Sequence, residues 1–145
     1  MRVRLQSGCI PYRLNDKNEI EILIVKKTDK KAWWGFTKGG LEPHLSPRDN
    51  AAKECYEEAG VTGKVTKSIG NFQYFKDGVK QHVTMFAMEF FTELDNYPEK
   101  SNRIRKWVSI DEAKSRISKE HHKFIESVAR IAARKAISQA YTERS

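Results

Sequence analysis

Apolar and polar positions divide the chain into short strand-like runs and three helix-like stretches. Arg4 to Leu14 and Glu19 to Lys27 are rich in Ile, Val, Leu and Tyr, with the turn formers Asn15, Asp16, Lys17 and Asn18 between them. Such residues suit a pleated, half-buried surface, and the two runs predict a hairpin. Thr28 to Pro43 carries lysine, glycine and tryptophan with neither regular period, and is expected to be a loop anchored by its aromatics. Loops of that length inside a compact domain are usually functional.

Ser46 stands as an N-cap before Pro47, with Asp49 three residues after the cap, so a helix is expected from Pro47 to about Ala59. Gly60 ends it. Ala51, Ala52, Cys55 and Ala59 give it a small-residue face that can approach a sheet closely, and its other face is acidic. Val65 to Phe75 and Val79 to Leu94 predict two strands joined across Asp77-Gly78, and a short strand follows around Ile104 to Val108. Ser109 and Glu112 open a short helix, and Lys119 to Tyr141 carries Phe124, Val128, Ile131 and Ala132 at helical spacing. The order β, β, α, β, β, β, α, α breaks strict strand–helix alternation, which points to a mixed sheet packed by helices, of α/β or α+β class.

Length makes one domain over residues 1–145 the expectation, since a chain of this size buries a core without staples. No run approaches the ~20 apolar residues of a spanning helix, and no long apolar stretch follows the first arginines, so a cytoplasmic location is expected. Cys9 and Cys55 match no metal-ligand spacing and read as reduced, packed thiols. A net charge of +8 raises the local concentration of anions, which suits nucleotides, nucleic acid or phosphorylated small molecules without choosing among them.

Glu54, Glu57 and Glu58 stand at i, i+3 and i+4, which lines three carboxylates along one helix stripe. Like charges one turn apart repel, and a cation between them relieves the repulsion. Hard carboxylate oxygens select magnesium, manganese or calcium. On the carboxylates alone, a solvated face with Lys53 paired to Glu57 is the commoner outcome.

The wider context changes that balance. From Gly39-Gly40-Leu41-Glu42-Pro43 through Lys53-Glu54-Cys55-Tyr56-Glu57-Glu58-Ala59-Gly60-Val61, the chain resembles the Nudix box, G-x5-E-x7-R-E-U-x-E-E-x-G-U with U aliphatic, and keeps its register without a gap. The resemblance implies an α/β/α sandwich with a mixed sheet, in which the box forms loop, helix and loop. It also implies a hydrolase of phosphoanhydride bonds in which Glu54, Glu57 and Glu58 bind Mg2+, or Mn2+, and carry catalysis. Two positions depart from the pattern: Leu45 stands where the box has its first glutamate, and Lys53 where it has arginine. Loss of the acid relaxes the demand for a planar guanidinium, so the two changes read as coupled, with Glu42 a candidate replacement acid.

Gly39 and Gly40 are expected to let backbone approach metal or phosphate, and Lys38 to neutralise a phosphate oxygen. Arg103 and Arg105 alternate on a strand, so both guanidinium groups face one side as candidate substrate ligands. Lys26, Lys27, Lys30 and Lys31 crowd near Trp33 and Trp34. Glu57, Glu89, Glu99, His121 and His122 are candidates for the general base. The Arg103-x-Arg105-x-Trp107 pattern and Gly40-Leu41-Glu42-Pro43 resemble the diphosphoinositol polyphosphate and diadenosine polyphosphate hydrolases, which implies a polyphosphorylated small molecule as partner. Alternatives are an RNA 5′-pyrophosphohydrolase, a nucleoside triphosphate pyrophosphohydrolase, and a catalytically weak domain that senses nucleotides. Nucleic acid is not the favoured partner, and no membrane is expected.

Overall fold

The computed structural model describes residues 2–29 and 31–144, with 143 and 144 as backbone only. Lys30 lies outside the described residues. The expected first hairpin forms from β1 (Val3–Leu14) and β2 (Ile20–Lys27), with Tyr12 opposite Ile22. Asn15 closes its turn, its side-chain oxygen accepting the Lys17 and Glu19 backbone N–H groups at 2.9 and 3.0 Å.

The stretch expected to be loop contains a strand, β3 (Thr37–Gly40), which runs antiparallel to β1 with Gly8 opposite Lys38. Lysine and paired glycines give no strand signal. The strand exists because the pairing of β1 with β2 covers only Tyr12 to Leu14, leaving the Gln6 to Cys9 edge of β1 to a different partner.

Helix α1 (Pro47–Ala59) has the expected bounds: the Ser46 hydroxyl accepts the Asp49 N–H at 3.1 Å, and Gly60 ends the helix at φ 64°. Strand β4 (Val61–Lys76) begins at once and pairs with β5 (Val79–Glu93) across Asp77 and Gly78, both at positive φ. Next come β6 (Arg103–Ser109), α2 (Ile110–Arg116), a 3-10 turn at Lys119–His121, and α3 (His122–Arg144).

The sheet order is β4-β5-β1-β2-β6, with β3 beside β1; β1 and β5 run parallel and the other pairs antiparallel. Alternation sorts consecutive apolar residues to two cores. Ile22, Ile24, Val83 and Met85 pack with Phe124, Ile125 and Val128 of α3, while Leu23, Val25, Phe86 and Met88 pack with Ala51, Cys55 and Ala59 of α1. The result is an α/β/α sandwich around a mixed sheet. Both cysteines are free and buried in the α1 core.

Candidate active site

Ala51, Cys55 and Ala59 fix how α1 is rotated, because all three are fully buried against the sheet. That rotation carries Glu54 and Glu58 to the edge of the helix–sheet interface, where both are buried, and leaves Glu57 further out. Gly39 of β3 lies directly against Glu54: a Cβ there would stand 2.2 Å from the carboxyl carbon and would push the carboxylate out of this position. The Lys38 backbone N–H donates to Glu58 at 3.4 Å. Burial pushes the Glu58 carboxyl up to about 8; Arg103 draws it down, while Glu54 and Glu99 push it higher.

Lys53 stands among three carboxylates, 2.5 Å from Glu57, 3.1 Å from Glu42 and 3.4 Å from Glu54. Its hydrogen bond to Glu57, joined by the one to Glu42 and the Glu54 charge, holds its pKa above the usual lysine range. Glu42 is the one of these three acids that comes from the loop before α1. Fully buried Asn50 holds the Glu42 loop in place: its side-chain oxygen accepts the Glu42 N–H at 3.2 Å, and its amide donates to Ser7 at 3.0 Å and to the Gly39 carbonyl at 3.4 Å.

Beside β3 opens a cleft of about 1040 Å³. Lys38, Gly39, Gly40, Glu58 and Arg103 line one part of it, and Trp33, Trp34, Phe36, Phe72 and Tyr74 supply aromatic walls. Further cations at its surface are Arg4, Lys26, Lys27, Lys76 and Lys123, against Glu58 and Glu120 as the only acids among the described residues. Arg103 reaches Glu58 at 3.7 Å and Glu99 at 3.0 Å. Arg105 does not reach the cleft. Its Nη1 donates to the Ala59 and Leu94 carbonyls at 2.8 and 2.7 Å and its Nε pairs with Glu93 at 3.1 Å, which ties it to the end of α1 and the end of β5. The two arginines share a face, as alternation predicts, yet one strand step separates a cleft residue from a structural one.

A model of the NUDIX domain matches residues 4–128. The chain belongs to the Nudix family. It is 37% identical over 113 residues to Nudix hydrolase 21, chloroplastic, of Arabidopsis thaliana, covering 73% of this chain and 56% of that protein. It is 32% identical over 111 residues to diphosphoinositol polyphosphate phosphohydrolase 3-beta of Bos taurus, covering 74% of this chain and 65% of that protein. The chain thus spans less than two thirds of the length of either relative. Among solved structures, a Caenorhabditis elegans Ap4A hydrolase binary complex superposes with TM-score 0.75 at 19% identity, over 90% of this chain and 98% of that one, which establishes a shared fold. Among the described residues, no helix is long and apolar enough to cross a membrane.

Nudix hydrolases generally depend on a divalent metal. In this chain Glu57 turns to Lys53 and Glu58 to Arg103, and among the described residues no three His, Cys, Asp or Glu side chains meet at one point. The donor chemistry nevertheless fits a hard cation: three carboxylates from one helix, two of them buried, beside a glycine backbone with no Cβ in the way. Of the general-base candidates, Glu89 is ion-paired with Lys135, and His122 bonds the Ile117 carbonyl at 2.9 Å. His121 packs on Phe72 with ring centroids 4.4 Å apart, in the cleft wall. Glu57 of the box pairs with Lys53, and Glu99, whose backbone N–H donates to the Glu57 carbonyl at 2.9 Å, pairs with Arg103. Sequence reading missed Asn50, Gln6 and Tyr74, whose types carry no motif; only the fold brings them to the site.

Proposed function

We propose that this Nudix protein is a hydrolase that uses Mg2+, or Mn2+, to cleave a phosphoanhydride bond in a polyphosphorylated small molecule by attack of water. The observation that carries the reading is the meeting of Glu58 of α1, Lys38 of β3 and Arg103 of β6 at one cation-rich cleft. Glu54, Glu57 and Glu58 would hold the cation, which when bound would make water nucleophilic and offset charge on the phosphate oxygens. Arg103, which lines the cleft beside Glu58, would pair with a phosphate. Lys38 offers an ammonium beside it, and Gly39 and Gly40 let phosphate oxygens come close to backbone N–H groups. Glu57 and Glu99, ion-paired with Lys53 and Arg103, are the candidates next to the box for accepting the proton from water.

The excess of cations along the cleft favours several phosphates over one, which supports diphosphoinositol or dinucleoside polyphosphate substrates. A second reading, a nucleotide sensor, draws support from Lys53, whose ammonium already sits among the box carboxylates. Assaying phosphate release from diadenosine polyphosphates, diphosphoinositols, nucleoside triphosphates and 5′-triphosphate RNA, with Mg2+ and with EDTA, separates these readings. Metal-dependent turnover of the small polyphosphates supports the proposal. Tight binding with no turnover of any substrate supports the sensor. The cytoplasmic location belongs to the same proposal, and imaging of a tagged chain tests it, since the Arabidopsis relative is named chloroplastic.

A further inference from the structure

Four side chains from four strands form one polar network on the floor of the cleft, and its hydrogen-bond direction is fixed from one end. The Gln81 amide nitrogen, buried in β5, donates to the Val79 carbonyl at 3.2 Å, which can only accept. Gln81 therefore presents its oxygen to Gln6 of β1, and the Gln6 amide nitrogen donates to it at 2.8 Å. The same nitrogen donates to the Tyr74 hydroxyl of β4 at 2.9 Å. The Lys38 ammonium of β3 donates to the Gln6 oxygen at 3.4 Å and to the Tyr74 hydroxyl at 2.9 Å.

A phenol has one proton to give and two lone pairs that accept. Both lone pairs of Tyr74 are engaged by donors that cannot reverse: an ammonium has no acceptor, and the Gln6 amide is held in its orientation by Gln81 and, through it, by a backbone carbonyl. The Tyr74 proton has no acceptor within this network, and the residue lines the cleft. Lys38 in turn has three N–H groups and spends two of them here.

We infer that Tyr74 donates its hydroxyl proton to a phosphate oxygen of the substrate, and that with the remaining Lys38 N–H it forms a two-donor anion subsite apart from the glutamates of α1. Gln6 and Gln81 are positioning residues that keep the phenol a donor. The inference rests on the phosphoanhydride reading for the identity of the anion, but not on turnover. Donation to a charged oxygen is among the stronger hydrogen bonds, and Tyr74→Phe removes the donor while keeping the ring on which Lys38 rests, 4.8 Å from its centroid.

The test is calorimetric titration of the full chain with inorganic tripolyphosphate in EDTA, so that the glutamate end adds no metal-mediated attraction. Thermal unfolding is measured beside it. Affinity about tenfold or more weaker in Tyr74→Phe, with an unchanged unfolding midpoint, is the expected result. Equal affinity in the two proteins, no binding by the parent, or a loss that tracks a lowered midpoint overturns the inference. A parent that hydrolyses nothing yet binds tripolyphosphate through Tyr74 would end the hydrolase reading and leave the subsite standing.

Discussion

Lys53 of α1 and Glu42 of the preceding loop stand 3.1 Å apart, joining the two halves of the box by an ion pair whose acid comes from a position the family pattern does not use. The Leu45 N–H donates to the Glu42 carbonyl at 3.1 Å, so the chain turns here and brings positions 42 and 45 close together. An exchange of acid between them is therefore geometrically short. Lysine is the suited partner because one ammonium, with three divergent N–H groups, serves Glu42, Glu54 and Glu57 at once.

Glu42→Gln is expected to lower kcat/KM several-fold on a diadenosine polyphosphate and to change stability little, since a partly exposed ion pair contributes about 0–1 kcal/mol. Leu45→Glu should do little in the parent and restore activity in the Glu42→Gln background. Steady-state kinetics of the four proteins check this, and additive effects would show that the two positions do not substitute for one another.

Glu57→Gln and Glu58→Gln are expected to lower metal-dependent turnover at least about a hundredfold, or ~2.7 kcal/mol of barrier at 1.36 kcal/mol per decade, with the fold intact. Phosphate release, with circular dichroism as the control, measures it. Near-normal turnover in both variants defeats the assignment of the metal site.

The two strand arginines should separate by phenotype. Arg103→Ala is expected to reduce kcat/KM by about tenfold or more, with a larger loss on highly phosphorylated substrates than on mononucleotides, because its guanidinium faces the cleft. Arg105→Ala instead removes donors from two backbone carbonyls and should lower the melting temperature, costing roughly 1–3 kcal/mol with little effect on substrate choice. Kinetics on a short and a long polyphosphate beside thermal melts decide it.

Glu58 also sets a pH dependence of stability in EDTA. Its folded-state pKa of about 8 lies above the ordinary carboxyl value of 4.5, so its favourable contribution is complete below that value and is lost as pH rises through about 8, where the buried group must ionise. Glu58→Gln should therefore melt a few degrees higher than the parent at about pH 9, with the difference vanishing towards pH 4.5, and saturating magnesium should reduce or reverse the advantage. Melting curves across that range, with and without the metal, give the comparison.

The bounds of α1, the two hairpin turns and the start of α2 were legible in the sequence because their causes are local. A Ser46 hydroxyl reaches the N–H three residues on, and Asp77-Gly78 accepts the positive φ of a tight turn whatever the rest of the chain does. The glutamate stripe was legible for the same reason, since helix geometry alone lines up Glu54, Glu57 and Glu58. Tertiary structure decided the rest. Strand β3 has no propensity of its own and forms where β1 offers an open edge, and the Arg103 and Arg105 guanidinium groups part company according to what lies opposite each along β6. Gln6 and Tyr74 are 68 positions apart, and no local rule connects them; only the strand order β4-β5-β1, with β3 beside β1, places an amide, a phenol and an ammonium in one network.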